Sequence, residues 1–359
     1  MTPMASATID LGALRHNLGV IRARAPDSRI MAVVKANAYG HGLIAVARAL
    51  GDADAFAVAR VDEGLALRAA GIVTPIVLLE GIFDREQLDA AVAAEFELVV
   101  HIPEQIELLR GIGGARPLTV WLKLDTGMNR LGFKGPAFAA ALAALQTLPS
   151  VRQPVRAISH LSAADEPRLA TTMQQVARFD AATAGKSACR SLANSAGLLN
   201  FPDAQADWVR AGLLLYGVSP LPETQGSAYG LKPVMTLHSR IIAVKDVSIG
   251  EQVGYGGTWT ATRPTHLAVA AIGYGDGYPR SVGSGAPVLV RGRRAALAGR
   301  VSMDMIGIDV TDSGEVVRVG DPVVLWGPEL PVEEIARWAG TIPYELLCGI
   351  SQRVAVELR

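Results

Sequence analysis

The chain has 359 residues, of which 50% are hydrophobic and 19% are charged, and its formal net charge at pH 7 is zero. This length and apolar content suffice for one large α/β domain and a second, smaller domain. A neutral chain lacks the basic surface that nucleic acids and anionic membranes require, so neither is an expected partner.

The sequence carries two cysteines, Cys189 and Cys348, which are far apart and have no metal-ligand spacing. A reducing, cytoplasmic compartment and the absence of a metal site are therefore expected. The first residues show no basic segment followed by an apolar one, and no apolar run reaches the roughly 18 residues of a membrane span. We expect a soluble protein that is not exported.

Strand-like residues 3–10 come first, and Asp10 can cap a helix over about residues 11–24. From residue 29 onward, short apolar runs alternate with helical patterns rich in Ala, Leu, Glu and Arg. Eight of these runs are predicted strands, at residues 29–35, 55–59, 75–80, 97–101, 118–124, 155–160, 188–193 and 208–216. Eight strands that alternate with helices in about 220 residues indicate a (β/α)8 TIM-type barrel rather than an open sheet.

The composition changes at residues 219–232, where Pro, Gly, Ser and Thr cluster. Beyond this segment the chain shows alternating runs such as residues 236–244, frequent glycines and turns, and one short helical pattern between Pro331 and Gly340. These features predict a barrel over residues 10–230 and a C-terminal, mostly β domain over residues 231–359.

Lys35 ends the first predicted barrel strand, directly after five apolar residues. The carboxyl ends of parallel strands are where α/β folds place their chemistry. An amine at the edge of an apolar strand is suited to Schiff-base chemistry, because partial desolvation favours its nucleophilic, neutral form. The alternative is an ordinary strand-end lysine whose ammonium group reaches solvent.

Further polar residues fall at predicted strand ends, and in a barrel these ends meet at one mouth. They are Lys123, Asp125, Arg130, His160, Asn194, Ser195 and Arg210. Each alone could be a loop anchor or an ion pair, but several on one face indicate a site. Ser195 after the seventh strand and Gly212 in the eighth match the usual phosphate site of barrels, where backbone N–H groups bind the anion.

The stretch Ala32–Gly42, with the sequence AVVKANAYGHG, resembles the pyridoxal-phosphate attachment motif of the bacterial alanine racemases. The resemblance extends over nearly the whole chain. The other stretches that carry it are Trp121–Gly132, Asn194–Ala196, Trp208–Gly212, Val253–Gly256, Gly273–Tyr278, Arg300–Met305 and Pro343–Leu347. It implies a barrel plus a C-terminal β domain to which the first strand also belongs, so that residues 1–9 would join residues 231–359.

The resemblance implies that Lys35 holds pyridoxal 5'-phosphate and that Lys35 and Tyr255 are two acid–base groups on opposite faces of the cofactor. A phenol is a weak base near neutral pH, and its anion needs positive charge nearby. The resemblance gives that position to His160, hydrogen-bonded to Arg210. Arg210 would face the pyridine nitrogen, where an arginine donates a hydrogen bond and leaves the nitrogen unprotonated. Without the resemblance, Tyr255 is an ordinary turn aromatic between two glycines.

The binding residues are likewise implied by the resemblance. The cofactor phosphate would be held by Tyr39, Ser195, Tyr344 and the backbone of Gly212 and Leu213.

The substrate carboxylate would contact Arg130 and the backbone near Met303, and Tyr274 with Tyr344 would restrict the substrate side chain to a methyl group. The family's lysine at the position of Lys123 is often carbamylated, and a carbamate there could pair with Arg130. The alternative for Lys123 is a plain strand-end lysine.

The expected protein is thus a cytoplasmic homodimer that interconverts L-alanine and D-alanine. Tyr255 and Met303 would come from the partner subunit. The product would serve peptidoglycan synthesis, or the reaction would serve alanine catabolism. The alternatives are a decarboxylase or a racemase of larger amino acids on the same fold, a barrel-only pyridoxal-phosphate carrier, and a structural α/β scaffold without catalysis.

Overall fold

The computed structural model describes residues 3–112, 116–166, 170–187 and 189–359. These residues form two compact units. The barrel unit comprises Asn17–Leu215 and Ser219–Pro222. The β unit holds the N-terminal residues up to His16, Tyr216–Val218 and Glu223–Arg359.

Eight parallel strands close the barrel unit into a cylinder, in the order in which they follow along the chain. They are Arg29–Val33, Ala55–Val58, Ile76–Leu78, Glu97–Val100, Leu118–Lys123, Val151–Ile158, Arg190–Ser191 and Trp208–Ala211. The eighth strand pairs with the first, with Arg210 opposite Met31. Most residues of these strands are buried, as in parallel sheets that are covered on both faces.

The strand ends differ from the prediction at the barrel mouth. The first strand ends at Val33 instead of residue 35, and the eighth ends at Ala211, after which Leu213–Tyr216 forms a 3-10 turn. The seventh strand is only Arg190–Ser191, and residue 188 of the predicted strand lies outside the described residues. The predicted ends were too late because residues just beyond the strands, such as Val34, are also buried, so apolar character does not mark where pairing stops.

Helices follow the strands around the barrel. The helices of this part of the chain are Leu11–Arg24, Leu43–Ala49, Val61–Ala69, Arg85–Ala93, Pro103–Arg110, Gly135–Gln146, Thr171–Thr183 and Ser195–Asn200, with a 3-10 turn at Pro202–Ala204. The predicted cap at Asp10 is confirmed, because its Oδ1 accepts a hydrogen bond from Ala13 N over 2.8 Å. One further helical segment, Lys35–Tyr39, is left-handed from Ala36 onward and belongs to the site described below.

The β unit contains an eight-stranded sheet. Its strands, in spatial order, are Thr265–Ala270, Ile306–Asp309, Arg293–Leu297, Pro287–Val290, Pro322–Trp326, Met235–Val247, Ser6–Ile9 and Ala355–Leu358. The pairings are antiparallel except for that of Ser6–Ile9 with Ala355–Leu358. Met235–Val247 also pairs with Thr265–Ala270, which closes part of the sheet on itself.

The β unit also contains a small hairpin, two helices and three 3-10 turns. The hairpin pairs Gln252–Val253 with Trp259–Thr260, and the helices are Val332–Ala339 and Pro343–Cys348. The 3-10 turns are Gly226–Tyr229, Tyr255–Gly257 and Tyr274–Asp276. The first helix is the one predicted between Pro331 and Gly340, and Gly340 ends it with a positive φ of 66°. A (β/α)8 barrel with a C-terminal, mostly β domain is therefore confirmed, while domain bounds at residues 10 and 231 stay a prediction.

Candidate active site

The candidate residues lie in two groups, one on each unit. The barrel unit carries Lys35, Tyr39, Lys123, Arg130, His160, Ser195, Arg210, Gly212 and Leu213. The β unit carries Tyr255, Tyr274, Met303 and Tyr344. Within the described residues, no cluster of three His, Cys, Asp or Glu side chains could hold a metal ion. The described helices also include none with the length and apolar content to cross a membrane.

Lys35 lies two residues beyond the end of the first barrel strand and directly precedes a short left-handed turn. The four residues Ala36, Asn37, Ala38 and Tyr39 all have φ between 51° and 54°. Residues other than glycine rarely adopt this conformation, and a run of four is costly for L-amino acids. The turn brings the side chain of Tyr39 back into the barrel, where it is 7% exposed.

Tyr39, Ser195 and Gly212 meet at one corner of the barrel mouth. Gly212 N donates to Ser195 Oγ over 3.0 Å. A Cβ atom at position 212 would lie only 2.7 Å from Tyr39 Oη, so glycine leaves room that any other residue would fill. Ser195 is the first residue of its helix, which Asn194 caps by accepting from Gly197 N over 2.9 Å. Two hydroxyl groups beside the space at Gly212 suit a phosphate, since Ser195 Oγ accepts from Gly212 N and keeps its own hydrogen to donate.

Arg210 is buried in the eighth strand and is held by four acceptors. Its guanidinium donates to Ser191 Oγ (2.7 Å), Ser159 O (2.6 Å), Leu192 O (3.1 Å) and His160 Nδ1 (3.2 Å). Burial lowers the pKa of Arg210 to about 10, so the group stays protonated at neutral pH.

His160 receives its hydrogen bond from Arg210 and is therefore unprotonated at Nδ1. Burial, together with the positive charges of Arg210 and Lys123, holds the pKa of His160 well below its usual range. The imidazole is thus neutral. The positive charge of this hydrogen-bonded pair therefore lies on Arg210.

Lys123, Arg130 and His160 line one small cavity at the barrel mouth. Burial, followed by the charges of Arg210 and Arg130, lowers the pKa of Lys123 to about 8. Asp125 orders the loop between Lys123 and Arg130, because its Oδ1 accepts from Gly127 N (2.9 Å) and Asn129 N (3.1 Å).

On the β unit, Tyr255 and Met303 line one surface cleft and are largely exposed, at 66% and 52%. Tyr274 is 40% exposed, and its backbone N donates to Ser302 O over 3.0 Å. The next residue, Gly275, donates to Met303 O over 2.9 Å. The segments that carry Tyr274 and Met303 are therefore tied together by backbone hydrogen bonds. Tyr344 lies in the helix Pro343–Cys348.

Arg353 adds an ionic tie between the same two segments. Its guanidinium contacts Asp276 Oδ1 at 3.2 Å and Asp304 Oδ1 at 2.8 Å. Gly275 leaves the space for this side chain, since a Cβ there would lie 2.5 Å from Arg353 Nη1.

Sequence reasoning assigned no role to Arg353, Glu63 or His41. Glu63 lies at the third position of its helix, where a search for helix-capping patterns would have drawn attention to it. His41 lies within the motif Ala32–Gly42. Arg353 has no local signal, because its partners are distant in the sequence.

The chain is similar to known proteins over nearly its whole length. Residues 9–220 match the family described as alanine racemase, N-terminal domain, and residues 234–358 match alanine racemase, C-terminal domain. An alanine racemase from Yersinia pestis is 53% identical over 353 residues, which are 98% of each chain, and one from Shewanella amazonensis is 50% identical over 99% of each. The crystal structure of the biosynthetic alanine racemase from Pseudomonas aeruginosa superposes over 100% of both chains with a TM-score of 0.96 and 46% identity.

Proposed function

This chain belongs to the alanine racemase family and is an amino-acid racemase, an isomerase, and we propose that it interconverts L-alanine and D-alanine with pyridoxal 5'-phosphate as cofactor. The observation that carries the cofactor proposal is the corner formed by Tyr39, Ser195 and Gly212. There the missing Cβ leaves a cradle beside two hydroxyl groups. Leu213 N and Tyr344 are further proposed phosphate ligands.

The cofactor supplies a carbonyl that condenses with amines and a conjugated ring that stabilises negative charge at the substrate Cα. Lys35 would hold it through its amine. The Lys35 amine and Tyr255 would act as the two acid–base groups. One removes the Cα proton from one face, and the other returns a proton to the opposite face, which inverts the configuration.

Arg210 and His160 are proposed to set the electronic conditions. Arg210 would face the pyridine nitrogen as a donor and leave that nitrogen unprotonated, because a guanidinium has no acceptor. The buried, four-fold bonded position of Arg210 supports this role. His160, neutral and protonated at Nε2, would donate toward the phenolic oxygen of Tyr255 and transmit the charge of Arg210.

Arg130 and the backbone near Met303 are proposed to bind the substrate carboxylate. Tyr274, with Tyr344, would narrow the entrance so that a methyl side chain fits and a larger one does not. Lys123 is proposed to carry a carbamate that pairs with Arg130. Its pKa of about 8 supports this, since the neutral amine is the form that attacks carbon dioxide, with release of one proton.

The protein is proposed to act as a homodimer in the cytoplasm, with Tyr255 and Met303 completing the partner's site. The support is that both side chains are largely exposed on a single chain, at 66% and 52%, although one is aromatic and the other apolar. The D-alanine formed would supply peptidoglycan, or the reaction would serve alanine catabolism.

The test combines the visible absorbance of the purified protein with chiral analysis of its products. We expect a cofactor absorbance band and the conversion of L-alanine to an equal mixture of both enantiomers, with both lost in Lys35→Ala. A band without D-alanine would contradict the proposed reaction and favour a decarboxylase, another racemase or a carrier. Failure to bind the cofactor at all would contradict the whole proposal.

A further inference from the structure

The left-handed turn Ala36–Tyr39 joins the two proposed anchors of the cofactor. Lys35 precedes it, and Tyr39 closes it with its hydroxyl group at the Gly212 cradle. Four successive residues with φ above 50° persist only when their surroundings hold them there. The turn therefore needs partners at both of its ends.

Glu63 holds the start of the turn. Its Oε1 accepts from Ala36 N, the amide directly after Lys35, over 2.6 Å. Its Oε2 accepts from Ala59 N (2.8 Å) and Arg60 N (3.2 Å), at the end of the second barrel strand. One carboxylate thus ties the Lys35 turn to the neighbouring strand and to the first turn of the helix Val61–Ala69. Hydrogen bonds from N–H groups to an ionised carboxylate are among the stronger ones in proteins.

His41 holds the end of the turn. It is fully buried, and its Nδ1 lies 2.8 Å from Tyr39 O and 3.1 Å from Ala38 O. Carbonyl oxygens only accept, so Nδ1 carries the ring proton and donates to both. Burial lowers the pKa of His41 to about 4, so the ring is neutral at physiological pH.

We propose that Glu63 and His41 are positioning residues that hold the turn Ala36–Tyr39 and thereby set the separation between the Lys35 amine and the Tyr39 hydroxyl. This inference rests on the proposed function, because that separation matters when one molecule bonds to Lys35 and places its phosphate at Tyr39. A turn held at both ends lets the phosphate contact assist the bond at Lys35 without ordering the chain first.

The main test compares pyridoxal 5'-phosphate with pyridoxal, which lacks the phosphate. Affinities are measured by absorbance titration of the cofactor-free full chain, for the wild type, Glu63→Gln and the matched control Glu86→Gln. Glu86 is an exposed glutamate in the first turn of the next helix. In Glu63→Gln an amide NH2 faces backbone N–H groups. The phosphate advantage, which is the ratio of the affinity for pyridoxal 5'-phosphate to that for pyridoxal, should therefore fall at least about tenfold.

If Glu63→Gln only destabilises the fold, both ligands bind more weakly to the same degree and the phosphate advantage is unchanged. That result would overturn the inference. A loss of the phosphate advantage in Glu86→Gln as large as that in Glu63→Gln would overturn it too. A second measurement is amide hydrogen exchange of residues 36–39 in the cofactor-free chain, which should speed up in Glu63→Gln and in His41→Phe. Unchanged exchange in these variants would also overturn it. If Glu63→Gln does not fold, Glu63→Asp, which keeps the charge on a shorter side chain, takes its place with the same two readouts.

The two proposals fail differently. A wild-type chain that binds neither ligand contradicts the proposed function, whereas a wild-type chain that binds both, with a phosphate advantage insensitive to Glu63, contradicts the positioning role alone.

Discussion

Arg210 donates a hydrogen bond from Nη2 to Nδ1 of His160 over 3.2 Å, although the two residues are 50 positions apart in the sequence. The contact assigns the tautomer of His160, because the nitrogen that faces a guanidinium must be an acceptor. It also keeps the imidazole neutral, since burial and the nearby charges hold the pKa of His160 well below its usual range. One buried cation is therefore bonded to His160, and under the proposed function it would also face the pyridine nitrogen.

The first prediction concerns reaction specificity. Arg210→Glu should raise the ratio of transamination to racemisation by about tenfold or more, because a carboxylic acid can protonate the ring nitrogen and increase its electron withdrawal. A factor of ten corresponds to about 1.4 kcal/mol in the difference between the two barriers. Pyruvate formed per D-alanine formed is the quantity to measure. Arg152→Glu, an exposed change on the sixth strand, is the control. An unchanged ratio in Arg210→Glu would count against the role of Arg210.

The second prediction concerns the phosphate cradle. Gly212→Ala places a methyl group 2.7 Å from Tyr39 Oη and should weaken the binding of pyridoxal 5'-phosphate at least about tenfold. The dissociation constant of the cofactor-free chain checks this. Gly19→Ala is the matched control, because a Cβ at that helical position meets no atom within 4 Å outside its own helix backbone and its chain neighbours. Equal affinity in both variants would place the phosphate elsewhere.

The third prediction concerns the pH dependence of carbamylation at Lys123. Its lowered pKa of about 8 means that the neutral amine is already present near pH 7 and increases as the pH rises through 8. At a fixed concentration of dissolved carbon dioxide, the carbamate signal in 13C NMR should therefore grow between about pH 7 and 9. It should vanish in Lys123→Met and persist in Lys245→Met, a change at an exposed lysine. A wild-type intact mass that always corresponds to plain lysine would eliminate the carbamate.

The fourth prediction separates stability from activity. Glu97, at the amino end of the fourth strand, accepts from Trp121 Nε1 (2.7 Å) and Arg156 Nη1 (2.8 Å). Glu97→Leu leaves a buried indole N–H and a half-buried guanidinium without this partner, which should cost about 1–3 kcal/mol of unfolding free energy. A lower Tm with unchanged kcat/KM is the expected result, because active sites of such barrels lie at the opposite, carboxyl ends of the strands.

The control for this variant is Glu86→Leu, at an exposed glutamate of the neighbouring helix. A loss of kcat/KM in Glu97→Leu at a temperature where the protein is fully folded would show that this end of the barrel influences catalysis.

Much of the fold could be predicted from the sequence for a local reason. Buried parallel strands are short apolar runs, the helices between them have their own period, and Asp10 precedes its helix as a capping residue does. Lys35 could be singled out because it directly follows such a run, and the residues of its motif are contiguous. Strand ends could not be placed, since Val34 and Leu213 are buried outside the strands just as strand residues are inside them.

Chemical types and their order along the chain were determined by the sequence alone: a lysine after the first barrel strand, an arginine in the eighth, and a tyrosine between two glycines in the β unit. Tertiary structure decided which atoms meet and which protons they carry. Glu63 reaches Ala36 across 27 positions, and Tyr39 Oη lies where a Cβ of Gly212 would intrude. Neither contact produces a periodic pattern of residue types in the sequence. The neutral state of His160 and the lowered pKa of Lys123 depend on burial and on neighbouring charges, which exist only once the barrel has closed.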